Sequence, residues 1–265
     1  MAETENIAKK APKVSKRKRR GHSVEAAKEE AARLEAEKTE AQKPKRAVKA
    51  VRQLDPETFR NVDLMIGSYA QRQFKQLMPK VAQGFFAPLG DKAAELSKRS
   101  DLQQAFALFF VYGFRDPSGL RIVDMFARQG LKLDREQARC LDACQRAHFV
   151  IFALERKNEK NRQLLGRDVL RGIPMTLLDK IAYDQLAPGD LIAAYMFSVG
   201  DMWRPLGMGT KVLRAKTKAL LDTLGSLANA MGAPPVQVCE RRPDQVFWAT
   251  FNHAERNISA APLKK

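Results

Sequence analysis

The chain is poor in the residues on which disulfide-rich and metal-dependent proteins rely. Its 265 residues include three cysteines and three histidines. A small, odd number of cysteines argues against a disulfide framework and favours a reducing compartment. No apolar run reaches the roughly 18 residues of a membrane-spanning helix. The basic N-terminus is not followed by the apolar segment of a secretory signal. These absences predict a protein of the cytoplasm.

The common catalytic motifs are also missing. The sequence has no phosphate-binding P-loop, no G-x-S-x-G nucleophile turn, no H-E-x-x-H and no G-x-G-x-x-G. Four aspartates could make a metal-dependent site if they met in a cleft, although three of them fall at turn or cap positions; the four are Asp116, Asp124, Asp168 and Asp190. We therefore expect a protein that is not an enzyme and that uses no cofactor.

Positive charge is what the sequence has in excess. It contains 47 Lys and Arg against 30 Asp and Glu, a formal charge of +17. Residues 1–50 hold 15 basic and 8 acidic side chains, and no aromatic residue precedes Phe59. So little apolar surface does not compensate for the entropy lost when the backbone is ordered. We expect residues 1–54 to be a disordered basic arm with a marginal charged helix from Val24 to about Gln42.

The arm carries two clusters of basic residues. Lys and Arg side chains pair with phosphates and release counterions, which gives salt-sensitive binding without sequence preference. We predict nucleic-acid contacts from Lys13, Lys16, Arg17, Lys18, Arg19, Arg20, Lys43, Lys45, Arg46 and Lys49. The same run at 16–20 would act as a nuclear import signal in a eukaryote. Attraction to an anionic membrane and a solubilising tail without a specific partner are the other interpretations.

The rest of the chain predicts an α+β fold. Residues 55–147 form a helical unit, which opens at Asp55-Pro56, a cap followed by proline at the first helical position. Asp116 begins a turn, and Asp134 with Gln137 forms a capping box at a later helix. Residues 148–209 contain short strand-like runs and predict a small antiparallel β module, either a sheet or a partly closed barrel. Residues 210–265 supply an amphipathic helix, from Thr210 to about Met231, and a tail.

The body has a second basic constellation. Four residues fall in the predicted loop between the first two strands: Arg156, Lys157, Lys160 and Arg162. Three more share one face of the predicted C-terminal helix: Lys211, Arg214 and Lys218. A barrel with basic loops suits single-stranded nucleic acid if an aromatic such as Tyr195, Phe197 or Trp203 is exposed for stacking. Alternation along the strands places most of these aromatics in the core, and a solvated charged face also explains the basic residues of the helix.

A metal site is a remote alternative. Cys140, Cys144 and His148 recur every four residues, and Cys239 would be a fourth zinc ligand. Buried cysteines of the core explain the same pattern, so we predict no metal site.

Two stretches carry a family resemblance across about residues 100–210. Residues 109–126, FFVYGFRDPSGLRIVDMF, resemble a recurring unit of a phenylalanine-rich helix, an Asp-Pro-x-Gly turn and a hydrophobic helix. The stretches GRDVL at 166–170 and PGDLI at 188–192 resemble the β module that follows that unit. Both are similar to uncharacterised bacterial proteins sometimes associated with the SEC-C motif. The cysteine-rich zinc segment of that motif is absent here, so the resemblance implies an architecture and a bacterial source but no zinc role and no activity.

Together these patterns predict a non-enzymatic nucleic-acid-binding protein, cytoplasmic or nucleoid-associated, or nuclear if the source is eukaryotic. The partner is DNA or RNA, contacted by the arm and additionally by the β module. The alternative is an adaptor that docks a protein partner on its helical half. An exposed apolar groove around Phe106, Phe109 and Phe110 would favour the adaptor. A positive face that joins residues 156–162 to residues 211–218 would favour nucleic acid.

Overall fold

The computed structural model describes residues 53–207 and 209–254. Its first helix, α1, spans Pro56–Gln73 and begins as the sequence predicts. The carboxylate of Asp55 accepts hydrogen bonds from the Thr58 amide at 2.8 Å and from the Thr58 hydroxyl at 2.7 Å. These bonds hold the pKa of Asp55 below its usual range. Val62, Ile66 and Ala70 recur at helical spacing and are buried, so the apolar stripe predicts which face meets the core.

The helical half continues through short elements joined by tight turns. A 3₁₀ helix covers Ala87–Lys92 and a π-helical turn covers Phe109–Gly113. The remaining helices of this half are α2 at Met78–Phe86, α3 at Ala93–Leu96, α4 at Ser100–Leu108, α5 at Ile122–Ala127 and α6 at Arg135–Arg146.

Local sequence signals determine two of these junctions. In the turn after the π-helical segment, the Asp116 carboxylate accepts from the Ser118 amide at 3.0 Å and from the Leu120 amide at 2.8 Å. At the start of α6, Asp134 and Gln137 form the reciprocal capping box. Both predictions are confirmed, because such bonds depend only on residues a few positions apart.

The β module is built from five strands that close on themselves and a sixth that extends the sheet. A short helix, α7 at Lys180–Gln185, lies between the third and fourth strands in the chain. The strands are β1 at His148–Asn158, β2 at Gln163–Asp168, β3 at Pro174–Leu177, β4 at Leu191–Val199, β5 at Met202–Pro205 and β6 at Thr210–Val212.

Strand pairing closes the barrel in the order β1-β2-β3-β5-β4, with β4 returning to β1. The predicted β module, either a small antiparallel sheet or a partly closed barrel, is present and differs from the prediction in two details. The barrel is closed, and β3 pairs with β5 in parallel, Thr176 opposite Met202 and Leu177 opposite Trp203. The parallel pair arises because the chain leaves β3 through α7 and returns along β4 before it enters β5. A helix thus lies between the third and fourth strands of a closed five-stranded barrel.

The two faces of the barrel strands are buried against different partners. Alternate residues of β1 and β4 fill the barrel interior together with side chains from β2 and β3; the interior includes Val150, Phe152, Leu154, Leu164, Met175, Leu177, Ile192, Ala194 and Met196. The other face of β1 and β4 packs on the helices through Phe149, Ile151, Ala193, Tyr195 and Phe197. Because both faces are apolar, β4 reads as a continuous hydrophobic run.

The chain after the barrel also departs from the prediction. The helix expected from Thr210 begins at Arg214, because Thr210–Val212 pairs with β4 as β6, Val212 opposite Leu191. The three C-terminal helices are α8 at Arg214–Ala230, α9 at Pro235–Arg241 and α10 at Pro243–Asn252. Leu220 and Leu224 of α8 are buried as the stripe predicts. The indole nitrogen of Trp248 in α10 donates to the Phe85 carbonyl at 2.6 Å, which ties the end of the chain to α2.

The predicted α+β class is confirmed. The arm helix expected at residues 24–42 lies outside the described residues. Within the described ranges, no helix combines the length and the hydropathy needed to cross a bilayer.

Candidate nucleic-acid interface

The turn between β1 and β2 brings basic side chains to one end of the barrel. Arg156 and Lys157 belong to β1 itself, which runs to Asn158 and is longer than the sequence predicts. Lys160 and Arg162 lie in the following turn, and both are exposed. Arg162 has a φ of 49°, which makes it the one non-glycine residue of the described chain in the left-handed region. An L-residue adopts this conformation at an energetic cost, which the surrounding structure must compensate. In this conformation the Arg162 side chain reaches Asp184 of α7.

Tyr183 of α7 is half-buried against the barrel interior and lies close to two of these cations. The Lys157 ammonium is 4.9 Å from the centre of the Tyr183 ring, and the Arg162 guanidinium carbon is 5.2 Å from it. Arg162 also pairs with the exposed Asp184 at 2.7 Å. A partly exposed aromatic ring beside cations can stack on a nucleobase while the cations contact its phosphate.

The same helix connects the β1–β2 turn to Lys211. Lys157 donates to the Tyr183 carbonyl, and Lys211 donates to the Gln185 carbonyl at 3.0 Å. These carbonyls end α7, where cations are favoured because the last C=O groups lack helical partners. The prediction that Lys211 lies on a helical face is wrong, because Lys211 belongs to β6.

Asp190 joins Lys211 to the start of α8. Its carboxylate is buried and lies 3.6 Å from the Lys211 ammonium. It also accepts from the Arg214 amide at 3.1 Å and from the Ala187 amide at 3.0 Å. Arg214 and Lys218 then lie exposed on α8. We call the set Arg156, Lys157, Lys160, Arg162, Lys211, Arg214 and Lys218 the basic band.

Acidic residues offset part of this charge. Asp184 pairs with Arg162, and Asp190 faces Lys211. Arg156 and Lys160 have no ion pair to described residues and are exposed. The band therefore keeps unpaired cations at the β1–β2 turn.

The aromatic residue found here is not one that the sequence predicts. Tyr195 and Phe197 are buried against the helices, as alternation indicates. Trp203 is half-buried and packs its ring edge-to-face with His148 at 5.4 Å. Tyr183 lies on α7, a helix that the sequence pattern does not indicate because residues 175–181 are typical of a strand, whereas the strand ends at Leu177. The missed signal is Asp179, whose carboxylate caps α7 by accepting from the Ala182 amide at 2.6 Å.

The remote zinc candidates do not form a cluster. Within the described ranges, no group of three or more His, Cys, Asp or Glu side chains is placed to hold a metal ion. Cys140 and Cys144 are buried in α6, while the Cys239 thiol, from α9, lies 3.5 Å from the Phe149 carbonyl. His148 begins β1 with Nδ1 at 3.0 Å from the Arg146 carbonyl, and burial lowers its pKa.

All three thiols should be unreactive in the native protein. Burial raises the pKa of Cys140 to about 11 and those of Cys144 and Cys239 to about 12. Because the thiolate is the reactive form, little of it exists at pH 8. We expect a thiol-reactive disulfide reagent to modify none of the cysteines rapidly in buffer and all three in concentrated guanidinium chloride. Fast native-state modification of even one thiol would contradict this assignment.

The four aspartates each have a separate structural role. Asp116 closes its turn, and Asp124 pairs with Arg121 at 2.8 Å. Asp168 is fully buried and pairs with Arg171 at 2.8 Å. Asp190 joins Lys211 to the start of α8, as described above. These contacts explain each carboxylate without an active site.

The three phenylalanines that would form an adaptor groove differ in their burial. Phe109 and Phe110 are buried, with 8% and 2% of their surface exposed, whereas Phe106 is half-buried. Phe106 packs on Phe86 and Phe110 at 5.7 Å each. The phenylalanine cluster is therefore mainly core. The predicted arm contacts from Lys13 to Lys49 lie outside the described residues.

Comparison with protein-family models, with curated proteins and with solved structures finds no match to this chain.

Proposed function

We propose that this protein binds single-stranded nucleic acid without catalysing a reaction on it. In this proposal the basic band of the barrel contacts phosphates and Tyr183 stacks on a base. The basic arm adds phosphate contacts that do not depend on sequence. The single observation that carries the proposal is the proximity of the Tyr183 ring to both Lys157 and Arg162.

The architecture of the barrel also supports a ligand site beside the β1–β2 turn, because a five-stranded barrel resembles the OB-fold. OB-fold barrels bind oligonucleotides or oligosaccharides on the face of their second and third strands and on the loops between strands 1 and 2 and strands 4 and 5. Here the β1–β2 turn carries Lys160 and Arg162 beside Tyr183. Because one fold serves many functions, the choice between these ligands depends on the site. Two cations near one ring favour a polyanion over a neutral sugar.

The test is fluorescence anisotropy of a labelled single-stranded oligonucleotide, in RNA and DNA forms, titrated with the full chain across a salt series. The double variant Lys160→Glu/Arg162→Glu should weaken binding about tenfold at moderate salt. It should also reduce the slope of log K against log salt by about 1.4, since each lost contact to a single strand removes about 0.7. Tyr183→Leu should weaken binding several-fold through lost stacking, and Tyr183→Phe should retain it.

The matched control is Lys98→Glu/Lys132→Glu, which makes the same charge change on exposed residues of the helical half. Equal losses in the two double variants would mean that only net charge matters and would contradict a site at the barrel. A truncated chain that starts at Arg52 separates the arm from the barrel, because the compact unit of the chain begins at Val51. If that chain fails to bind while the full chain binds, the arm alone is responsible.

A further inference from the structure

A groove on the helical half combines an apolar floor with a basic rim. It has a volume of about 400 Å³ and lies between α2, the segment after the π-helical turn, and the α9–α10 junction. Leu77, Val81 and Phe114 line it as half-buried residues, and the buried Phe85, Phe109 and Pro243 form its base. Gly84 of α2 also lines it, and a side chain at this position would meet no atom within 4 Å. We call this feature the α2–α10 groove.

The basic residues on the rim of the groove outnumber the carboxylates beside them. Lys80, Arg115, Arg241 and Arg242 line the groove with a single carboxylate, that of Asp244. Asp244 is engaged by Arg242 through bonds of 3.1 and 2.8 Å. Arg115 donates to the Glu240 carbonyl at 3.3 Å and to the Gly119 carbonyl at 2.9 Å, and neither partner offsets its charge.

Two of these cations are available to a ligand. Lys80 and Arg241 are exposed and form no ion pair with described residues. They flank an apolar floor, so a ligand that satisfies both features needs apolar side chains on one side and negative charge at the edges. An apolar groove between helices is also the usual receptor for an amphipathic helix.

We propose that the α2–α10 groove binds an acidic amphipathic helix of a partner protein. Charge complementarity identifies the partner and argues against this chain's own ends. Residues 1–50 carry a formal charge of +7, and residues 255–265 carry three basic side chains against one acidic. Both segments would be repelled by Lys80 and Arg241. The interaction is independent of the nucleic-acid site, because no residue of the basic band lines the groove.

The probe is a labelled, end-capped peptide of about 14 residues, or four helical turns, with Leu on one face and Glu on the other. We expect saturable binding to the full chain at near-physiological salt, measured by fluorescence anisotropy. A scrambled peptide of the same composition should bind at least about fivefold more weakly, because it has no apolar face.

Two variants locate the binding. Gly84→Trp should weaken it by placing a bulky side chain on the wall of the groove, where an added Cβ atom would meet no atom within 4 Å. Gly67→Trp makes the same change at an open position on α1 and should have no effect. Arg241→Glu should weaken binding at least about fivefold, whereas Lys132→Glu, an equal charge change elsewhere, should not. Circular dichroism checks that each variant is folded.

Several results would overturn the proposal. These are equal binding of the scrambled peptide, equal losses in Arg241→Glu and Lys132→Glu, unchanged binding by a folded Gly84→Trp chain, or no saturable binding. If Arg241→Glu impaired oligonucleotide binding and left peptide binding unchanged, the groove would belong to the nucleic-acid interface and the proposal would also be wrong.

Discussion

Replacing Gly166 of β2 with alanine should destabilise the protein by about 3 kcal/mol or more. A Cβ atom at this position would lie 1.9 Å from the Ala153 carbonyl oxygen and 2.8 Å from the Phe152 ring. Gly166 is paired with Leu154 where the register between β1 and β2 shifts. The two strands cannot move apart to remove this clash without losing hydrogen bonds between them. The added methyl group therefore destabilises the folded state. Chemical denaturation with urea measures the change in unfolding free energy.

Gly67→Ala is the matched control. Gly67 lies within α1, where a Cβ would meet no atom within 4 Å. Alanine should stabilise this helix by about 0.5–1 kcal/mol, because glycine loses more backbone entropy on folding. A Gly166→Ala chain that unfolds at the same urea concentration as the parent would show that β1 and β2 do not approach this closely.

Replacing Asp190 with alanine should cost about 3 kcal/mol of stability. The carboxylate is 5% exposed and accepts from the amides of Ala187 and Arg214 while facing the Lys211 ammonium. Removal of the carboxylate leaves two backbone donors unsatisfied and takes the counter-charge from Lys211. Hydrogen exchange should show the largest loss of protection in the α7–β4 loop and at the start of α8, since Asp190 connects these two segments.

Asp190→Asn separates the hydrogen bonds from the charge. The amide oxygen still accepts one backbone bond, so the loss should be about half that of alanine. Asp201→Ala, at an exposed position between β4 and β5, should change stability by less than about 0.5 kcal/mol. If alanine at position 190 cost no more than alanine at position 201, Asp190 would not hold the loop, β6 and α8 together.

Predictions that depend on neighbouring residues agree with the structure. The caps at Asp55 and Asp134 and the turn at Asp116 involve partners three or four positions away. Strand regions of β1 and β4 were recognisable from their apolar, β-branched and aromatic residues. Element ends were less predictable. β3 was expected to continue to Ile181, but the cap at Asp179 starts α7 instead.

The candidate site was visible only in part. Lys160 and Arg162 could be named from the sequence because their charge is evident in any fold. Tyr183 could not, because its value as a platform depends on Lys157 and Arg162, which lie 26 and 21 positions earlier in the chain. Lys211 looked like a helical surface residue, and its assignment changed because β4 recruits Thr210–Val212 as a strand.

The sequence by itself determined the charge, the α+β class, the helix caps and the residues of the core. These properties arise from composition and from interactions within a few residues. The tertiary structure decided that the barrel closes, that β3 runs parallel to β5, that Tyr183 lies close to two cations, and that a basic rim surrounds an apolar groove. Each of these features joins segments that are distant in the chain. Their geometry depends on loop closure and on packing between strands and helices, and neither can be read from local periodicity.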